Sequence, residues 1–133
     1  MKNFILATLT LVIVLAGCKK EKALPQSIVG SWELRNVYGI QVAGSPSTFK
    51  AGNGDVIVFT DTEYQKMNDG KVTTKGTYKI VNESAEIDGN TFSKALIYND
   101  QGMKWYFKIS GKNLIISAGS IAYDGFTMTY ENL

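Results

Sequence analysis

The stretch that decides the fold is Met103-Lys104-Trp105-Tyr106-Phe107-Lys108-Ile109. Apolar residues occupy every second position in it, with two lysines and a tyrosine between them. A period of two is the pattern of a β-strand, whose successive side chains point to opposite faces of a sheet. The stretch is therefore predicted to form a strand with its methionine, tryptophan, phenylalanine and isoleucine on one face.

Short alternating segments of the same kind recur from Val29 to the C-terminus. Turns rich in Asn, Asp and Gly separate them, such as Asn68-Asp69-Gly70 and Asp88-Gly89-Asn90, because these residues tolerate the positive φ of tight hairpins. The segments follow one another at roughly 8–12 residues, and no helical pattern intervenes. Residues 29–133 are therefore predicted to form an all-β, single antiparallel up-and-down barrel of about eight to nine strands, in which neighbours in sequence pair and closure removes exposed edges.

One long stretch, residues 43–54, has neither an alternating nor a helical pattern. Irregular segments of this length usually run over the surface of a domain. Two interpretations stay open for it: a lid over one mouth of the barrel, or a loose surface loop.

The N-terminus has the pattern of a secretory leader. Lys2 precedes an apolar run over residues 4–16, which is shorter than the ~20 residues that span a bilayer. A cleaved signal peptide over residues 1–17 is therefore favoured over an uncleaved anchor. The run ends in Leu15-Ala16-Gly17-Cys18, which resembles the lipobox of bacterial lipoproteins and implies that the Cys18 sulfur carries lipid.

Residues 18–28 are charged, contain Pro25 and lack periodicity, so they are predicted to form a flexible tether between the lipidated cysteine and the barrel. Position 19 is a lysine, whereas an aspartate there resembles an inner-membrane retention signal. The expected location is therefore the bacterial outer membrane. Lys19-Lys20-Glu21-Lys22 matches acidic surface-export signals poorly, which favours the periplasmic face while leaving surface exposure open.

The charge balance of the barrel domain argues against nucleic-acid binding. From Val29 onward, 10 Lys and Arg residues stand against 11 Asp and Glu residues. A nucleic-acid partner needs a positive surface to neutralise its phosphates. The basic character of the whole chain therefore belongs to the leader and the tether.

Few chemical groups are available for catalysis. The chain has no histidine and a single cysteine, Cys18, which disfavours Ser/His and Cys/His nucleophiles and zinc, haem or iron–sulfur sites. No metal, no cofactor and no enzymatic activity are therefore expected. A pair of carboxylates acting on a sugar is the alternative. Five of the six aspartates, however, lie in or beside predicted turns, where backbone geometry favours Asp: Asp61, Asp69, Asp88, Asp100 and Asp124.

Three short motifs carry a family resemblance. They are Gly30-Ser31-Trp32, the Gly-Thr-Tyr-Lys-Ile run over residues 76–80, and the Asn-Leu-Ile-Ile-Ser run over residues 113–117. Together they resemble the small lipocalin-like, calycin-type lipoproteins common in Bacteroidota. The resemblance implies an up-and-down barrel and, by analogy, the binding of a small hydrophobic molecule. Lipocalins also pack a late basic residue over this tryptophan, and here no Lys or Arg follows Lys112.

Aromatic residues on alternating positions have two interpretations. They pack a filled interior, which is the favoured state for bulky side chains on short strands, or they line a pocket for one small ligand. The candidate lining consists of Trp32, Tyr98, Trp105, Phe107, Phe126 and Tyr130. Trp32 is better explained as a core plug at a barrel end. The predicted function is a non-catalytic envelope lipoprotein that binds a hydrophobic or amphipathic ligand. The alternative is a filled barrel that acts as a structural or inhibitory module on an envelope protein partner.

Overall fold

Eight antiparallel strands form a closed barrel in the computed structural model, which describes residues 26–39 and 43–133. The strands are β1 (Gly30–Tyr38), β2 (Asp55–Phe59), β3 (Glu63–Asn68), β4 (Lys71–Ile87), β5 (Asn90–Tyr98), β6 (Lys104–Ser110), β7 (Asn113–Ser117) and β8 (Thr127–Asn132). Each strand pairs with the next in sequence, and β8 pairs with β1. The all-β, up-and-down architecture predicted from the alternation is confirmed.

Two tight hairpins use the turn residues expected from the sequence. Asp69 and Gly70 join β3 to β4 with φ values of 46° and 77°, and Asp88 and Gly89 join β4 to β5 with 49° and 78°. Two consecutive positive φ angles define the turn whose twist matches that of the flanking strands. The backbone requirement of the hairpin thus explains these two aspartates.

The strand count falls at the lower end of the prediction because β4 is a single strand of 17 residues. The segments 71–81 and 85–87, which the sequence pattern alone would count as two strands, are joined in it. An irregularity between Asn82 and Ala85 shifts the register with β5 without ending the strand. Such bulges bend a strand while the pairing continues on either side.

A second bulge changes which side chains of β1 face inward. The register with β8 shifts between Leu34 and Asn36. Simple alternation predicts Tyr38 on the same face as Trp32 and Leu34, and this prediction is wrong: Tyr38 is 65% exposed and Val37 is buried. The extra residue of the bulge exchanges the two faces for the remainder of the strand.

The lower part of the barrel is a filled core. We call the end where β1 begins the floor, and the end where β5 ends and β6 begins the mouth. Trp32 is fully buried, and its Nε1 donates a hydrogen bond to the Ile28 carbonyl at 2.7 Å. Ile28, assigned to the tether from sequence, belongs to the core because it is buried against this cluster. The fully buried apolar side chains of this core are Trp32, Phe59, Ile57, Leu96, Leu114 and Ile116.

The described part of the 43–54 stretch extends the barrel wall. β2 pairs with β1 only as far as Glu33. Beyond that point the Val37 amide donates to the Ser47 carbonyl and the Phe49 amide donates to the Arg35 carbonyl, both at 2.8 Å. Residues 47–49 are therefore hydrogen-bonded along β1, which does not fit a loose loop.

A buried carboxylate fixes the end of that stretch. Glu33 accepts hydrogen bonds from the backbone amides of Gly52 and Gly54, at 3.0 and 3.3 Å, and from Arg35. The Gly52 amide, followed by the Arg35 guanidinium, holds the pKa of Glu33 below its usual value. Because these donors favour the charged form, the carboxylate ties the 50–54 segment to β1.

Candidate functional site

A continuous chain of aromatic rings runs through the barrel interior from floor to mouth. It begins with Phe59 and Tyr64, whose ring centroids are 6.5 Å apart. Tyr64 contacts Tyr98 at 4.6 Å, and Tyr98 contacts Trp105 at 5.7 Å. Phe126 ends the chain, 5.8 Å from Trp105. The last three contacts are edge-to-face, an arrangement that aromatic pairs favour.

Asn99 holds the middle of this chain in place. Its Nδ2 donates to the Tyr64 hydroxyl at 3.2 Å, and its Oδ1 accepts from the Thr77 amide at 3.0 Å. The side chain needs the space above Gly76, where a Cβ atom would lie 1.9 Å from Asn99 Oδ1. A glycine on β4 and an asparagine after β5 together position the Tyr64 hydroxyl.

The outer end of the chain is positioned from the β4–β5 turn. The Asp88 carboxylate accepts hydrogen bonds from Ser120 Oγ at 2.8 Å and from the Ile121 amide at 3.0 Å. These residues begin a short 3₁₀ turn, Ile121–Tyr123, which leads to Phe126. Asp88, interpreted from sequence as a solvated turn residue, therefore fixes the segment that carries the last ring.

A pocket of about 160 Å³ opens beside the aromatic chain at the mouth. Its lining residues come from β3, from the end of β5 and from the start of β6: Tyr64, Lys66, Tyr98, Asn99, Gln101, Met103 and Trp105. Met103 is 63% exposed and precedes β6, so the predicted strand begins one residue later than the sequence pattern indicated. Aromatic faces with a few polar atoms are the usual lining of small-molecule sites.

Two opposite charges face this part of the interior. Lys66 pairs with the inward-facing Ile57, and its Nζ lies 6.0 Å from the centroid of the Trp105 ring. Asp55 has the same parity as Ile57 on β2. Burial raises the pKa of Asp55, and the nearby Lys66 charge acts in the opposite direction. Neither side chain forms an ion pair within 4.0 Å with another residue of the described ranges.

The hydroxyl of Tyr98 is a third polar group without a partner. Unlike the Tyr64 hydroxyl, it has no hydrogen bond to any residue in the described part of the chain. Burial, followed by the neighbouring Tyr130, raises its pKa. The Tyr130 hydroxyl contacts the Met128 sulfur at 3.2 Å, and burial together with the Asp55 charge raises the pKa of Tyr130 as well. Both phenols are therefore neutral hydrogen-bonding groups at neutral pH.

The structure separates the six aromatic residues that were predicted to line a pocket. Trp32, Phe107 and Tyr130 are 0%, 5% and 4% exposed and belong to the packed core. Tyr98, Trp105 and Phe126 are partly buried and form the upper part of the aromatic chain. Cys18, the predicted lipidation site, lies outside the described residues.

Several residues of the site were missed from sequence. The alternation in Glu63–Asn68 does place Tyr64 and Lys66 on one face, so an inward lysine could have been proposed. Asp55 shares a face with Ile57 in the same way. Asn99 gave no short-range signal, because its partners are 22 and 35 residues away.

Within residues 26–39 and 43–133, no group of three or more His, Cys, Asp or Glu side chains is arranged to hold a metal ion. The same ranges contain no helix with the length and apolarity needed to cross a bilayer. No protein-family model, curated protein or solved structure matches this chain.

Proposed function

We propose that the barrel mouth binds a small amphipathic molecule, and that the protein presents this site in the cell envelope as a lipoprotein anchored through Cys18. The observation that carries the proposal is an aromatic pocket with two polar groups beside the Trp105 ring. Lys66 and Tyr98 line this pocket with Trp105, and the charges of Asp55 and Lys66 act on each other nearby. None of these three side chains, Asp55, Lys66 and Tyr98, has an ion-pair or hydrogen-bond partner among the described side chains. No buried side-chain N or O atom of the described residues lacks a partner, so solvent reaches the polar atoms of these three residues, and a ligand would replace that solvent.

The size and lining of the pocket indicate the ligand's apolar part. A volume of about 160 Å³ is below the ~300–1,000 Å³ of sites for drug-sized ligands. Tyr98 and Trp105 offer ring surfaces to a flat body, since stacked and edge-to-face contacts stabilise aromatic pairs by about 0.5–1.5 kcal/mol. A molecule with one or two rings and a single polar group fits this description.

The polar part of the ligand determines which charge it meets. An ammonium group would pair with Asp55, a carboxylate or phosphate with Lys66, and a hydroxyl or carbonyl with the Tyr98 hydroxyl. Because the Asp55 and Lys66 charges both lie at the mouth end of the barrel, the site suits a molecule that has a polar group at one end. The alternative function, a protein-binding module, does not explain why these groups face the interior.

The anchor gives the site an orientation. The lipobox-like Leu15-Ala16-Gly17-Cys18 supports lipidation, and two or more acyl chains hold a protein stably on a membrane. Gln26 and Ile28 lie at the floor, next to Phe107. Eight residue steps separate Cys18 from Gln26, a reach of at most about 28 Å at ~3.5 Å per residue. The floor is therefore expected to face the outer membrane and the mouth to face the periplasm.

Ligand binding is tested with three probes that share a benzyl-type ring and differ in charge: benzyl alcohol, benzoate and benzylammonium. Calorimetric titration of the chain from Lys19 onward should detect at least one of them. Trp105→Ala should weaken that probe at least tenfold, about 1.4 kcal/mol. Tyr123→Ala removes an aromatic side chain that is 88% exposed and should leave the affinity unchanged. Failure of all three probes to bind at millimolar concentration would refute the proposed site.

The polar groups are assigned by matched substitutions. Asp55→Asn should weaken benzylammonium and spare benzoate, because it removes the negative charge alone. Lys66→Met should have the opposite selectivity, since it keeps most of the apolar stem and removes the positive charge. Equal losses for both probes in both variants would argue that neither charge contacts the ligand.

The anchor is tested separately from the site. Cells grown with a labelled fatty acid should incorporate the label into the full-length chain. Cys18→Ser should abolish that incorporation and leave an unprocessed precursor. Lipid labelling and processing that persist in Cys18→Ser would contradict the assignment of the anchor, whatever the barrel binds.

A further inference from the structure

Strand β4 pairs with its two neighbours over separate halves of its length. Its pairs with β3 extend from Lys71 to Thr77, and its pairs with β5 begin at Tyr78. On the β5 side, none of the described residues pairs with the segment 71–76. We call this segment the open edge. The backbone groups on that side are available to another strand.

The pairing ends at a defined stop beside the open edge. The Asn99 amide donates to the Thr77 carbonyl at 2.9 Å, and the Thr77 amide donates to Asn99 Oδ1 at 3.0 Å. Asn99 has a φ of 50°, so the backbone turns out of the sheet there. The side chain of Asn99 thus completes the last β-type pair, and the chain then departs from β4.

Alternation identifies the backbone N–H and C=O groups of β4 that point toward the open edge. In an antiparallel ladder, residues two apart direct their N–H and C=O groups to the same edge. Thr77 directs its groups toward the β5 side, as its bonds with Asn99 demonstrate. Lys75 is two residues earlier in β4, so its amide and carbonyl face the open edge while the β3 ladder uses those of its neighbours.

The charges along the open edge are unbalanced. Lys71 and Lys75 are exposed and have no ion pair in the part of the chain that is described. The nearest acids on paired or adjoining residues are Glu63, opposite Thr77, and Asp69, in the β3–β4 turn. Lysines of this kind protect edges from aggregation, and they also attract acidic segments.

We propose that the open edge binds an extended acidic segment of a partner protein as an added antiparallel strand. Acidic side chains on the outward face of that strand would meet Lys75, which faces outward because it pairs with the exposed Gln65. The inward face of the added strand would lie beside Gly76, which pairs with the buried Tyr64, and beside the exposed Thr74, which pairs with Lys66. A second copy of this chain is disfavoured in the register that sets Lys75 opposite itself, because like charges across a ladder repel.

The probe is a fluorescent seven-residue peptide that alternates valine and glutamate, compared with one that alternates valine and lysine. Anisotropy titrations use the full-length chain in a non-ionic detergent. The glutamate peptide should bind at least tenfold more tightly than the lysine peptide, and added salt should narrow the difference. Absence of binding by the glutamate peptide, or equal binding of the two, would overturn the proposal.

Two substitutions separate strand addition from simple charge attraction. Lys75→Pro removes the edge amide, which the β3 ladder does not use, and should abolish binding of the glutamate peptide. Lys75→Thr also removes the charge but keeps the amide, and should retain part of the affinity. If Lys75→Pro binds as well as Lys75→Thr, the edge does not accept a strand.

Should Lys75→Pro fail to fold, Lys75→Glu provides the independent test, because it should reverse the preference between the two peptides. The proposal does not depend on the ligand site at the mouth. Trp105→Ala, which should weaken binding of the benzyl-type probes at least tenfold, should leave the charge preference between the peptides intact. Loss of that preference in Trp105→Ala would show that the peptides occupy the mouth, and would refute the edge.

Discussion

The two tryptophans of the barrel have opposite environments. Trp32 at the floor is fully buried, and its indole N–H is bonded to the Ile28 carbonyl. Trp105 at the mouth is partly exposed and lies between Tyr98, Phe126 and the Lys66 ammonium. Both side chains point into the barrel, Trp32 from β1 and Trp105 from β6. They differ in what lies next to them: Ile28 covers Trp32 at the floor, whereas Trp105 borders a pocket at the mouth.

This contrast assigns stability to one end of the barrel and recognition to the other. At the floor, the indole N–H of Trp32 has a protein partner and the ring is fully buried. At the mouth, polar groups lack partners among the described residues. Sites that bind ligands are commonly built where local stability is lower than in the core, and the predictions below test that division.

The largest loss of stability is expected from removal of the Trp32 indole ring, and it is compared with removal of the Trp105 ring. Trp32→Ala should lower the free energy of unfolding by about 4 kcal/mol, in the range for large aromatic residues deleted from cores. Trp105→Ala should lower it by only about 1 kcal/mol, because the ring is partly exposed. Urea denaturation measures both. Similar losses for the two variants would abolish the distinction between floor and mouth.

A smaller effect is expected from the carboxylate that fixes the barrel wall near Asp55. Glu33→Gln should lower the free energy of unfolding by about 2 kcal/mol at neutral pH, because a buried hydrogen-bonded charge is replaced by an amide that cannot accept all three donors. The Gly52 amide and the Arg35 guanidinium keep the Glu33 pKa below its ordinary value of 4.5. Tyr123→Phe, at an exposed position, serves as the control.

The pH dependence of that effect has a definite sign. Because the Glu33 pKa is lower in the folded protein, the unfolded chain takes up this proton first as the pH falls. The stabilisation should be complete above about pH 4.5, the ordinary value, and should decline as the pH falls toward the folded pKa. Denaturation at several pH values should reveal a difference between wild type and Glu33→Gln that shrinks in acid. A constant difference would contradict the role of the charge.

The smallest effects come from two tyrosine hydroxyls. The Tyr78 hydroxyl donates to the Thr60 carbonyl, so Tyr78→Phe should cost about 1 kcal/mol of stability. The Tyr98 hydroxyl has no partner in the described ranges, and Tyr98→Phe should change stability by less than about 0.5 kcal/mol. Thermal melts of the two variants make a matched comparison. A larger loss for Tyr98→Phe would mean that this hydroxyl is already satisfied within the protein.

Sequence patterns predicted the barrel architecture and the hairpin turns, but they did not predict which end of the barrel is packed and which end has the pocket. Alternation predicted the barrel because a period of two depends only on local geometry. The bulge in β1 could not be predicted from the sequence, since pairing with β8 decides whether Val37 or Tyr38 points into the barrel. Ile28 and Asn99 were missed for a similar reason: burial decides the role of the first, and bonds to Thr77 and Tyr64 decide that of the second.

The most direct test of the account follows both indole N–H signals in one proton–nitrogen correlation spectrum, with Trp105→Phe to assign them. The Trp32 signal should exchange slowly in deuterated water, because its N–H is buried and bonded to Ile28. The Trp105 signal should exchange rapidly and shift as a benzyl-type probe is added, while the Trp32 signal stays in place. Equal protection of the two, or a shift confined to Trp32, would contradict a filled floor and a receptive mouth.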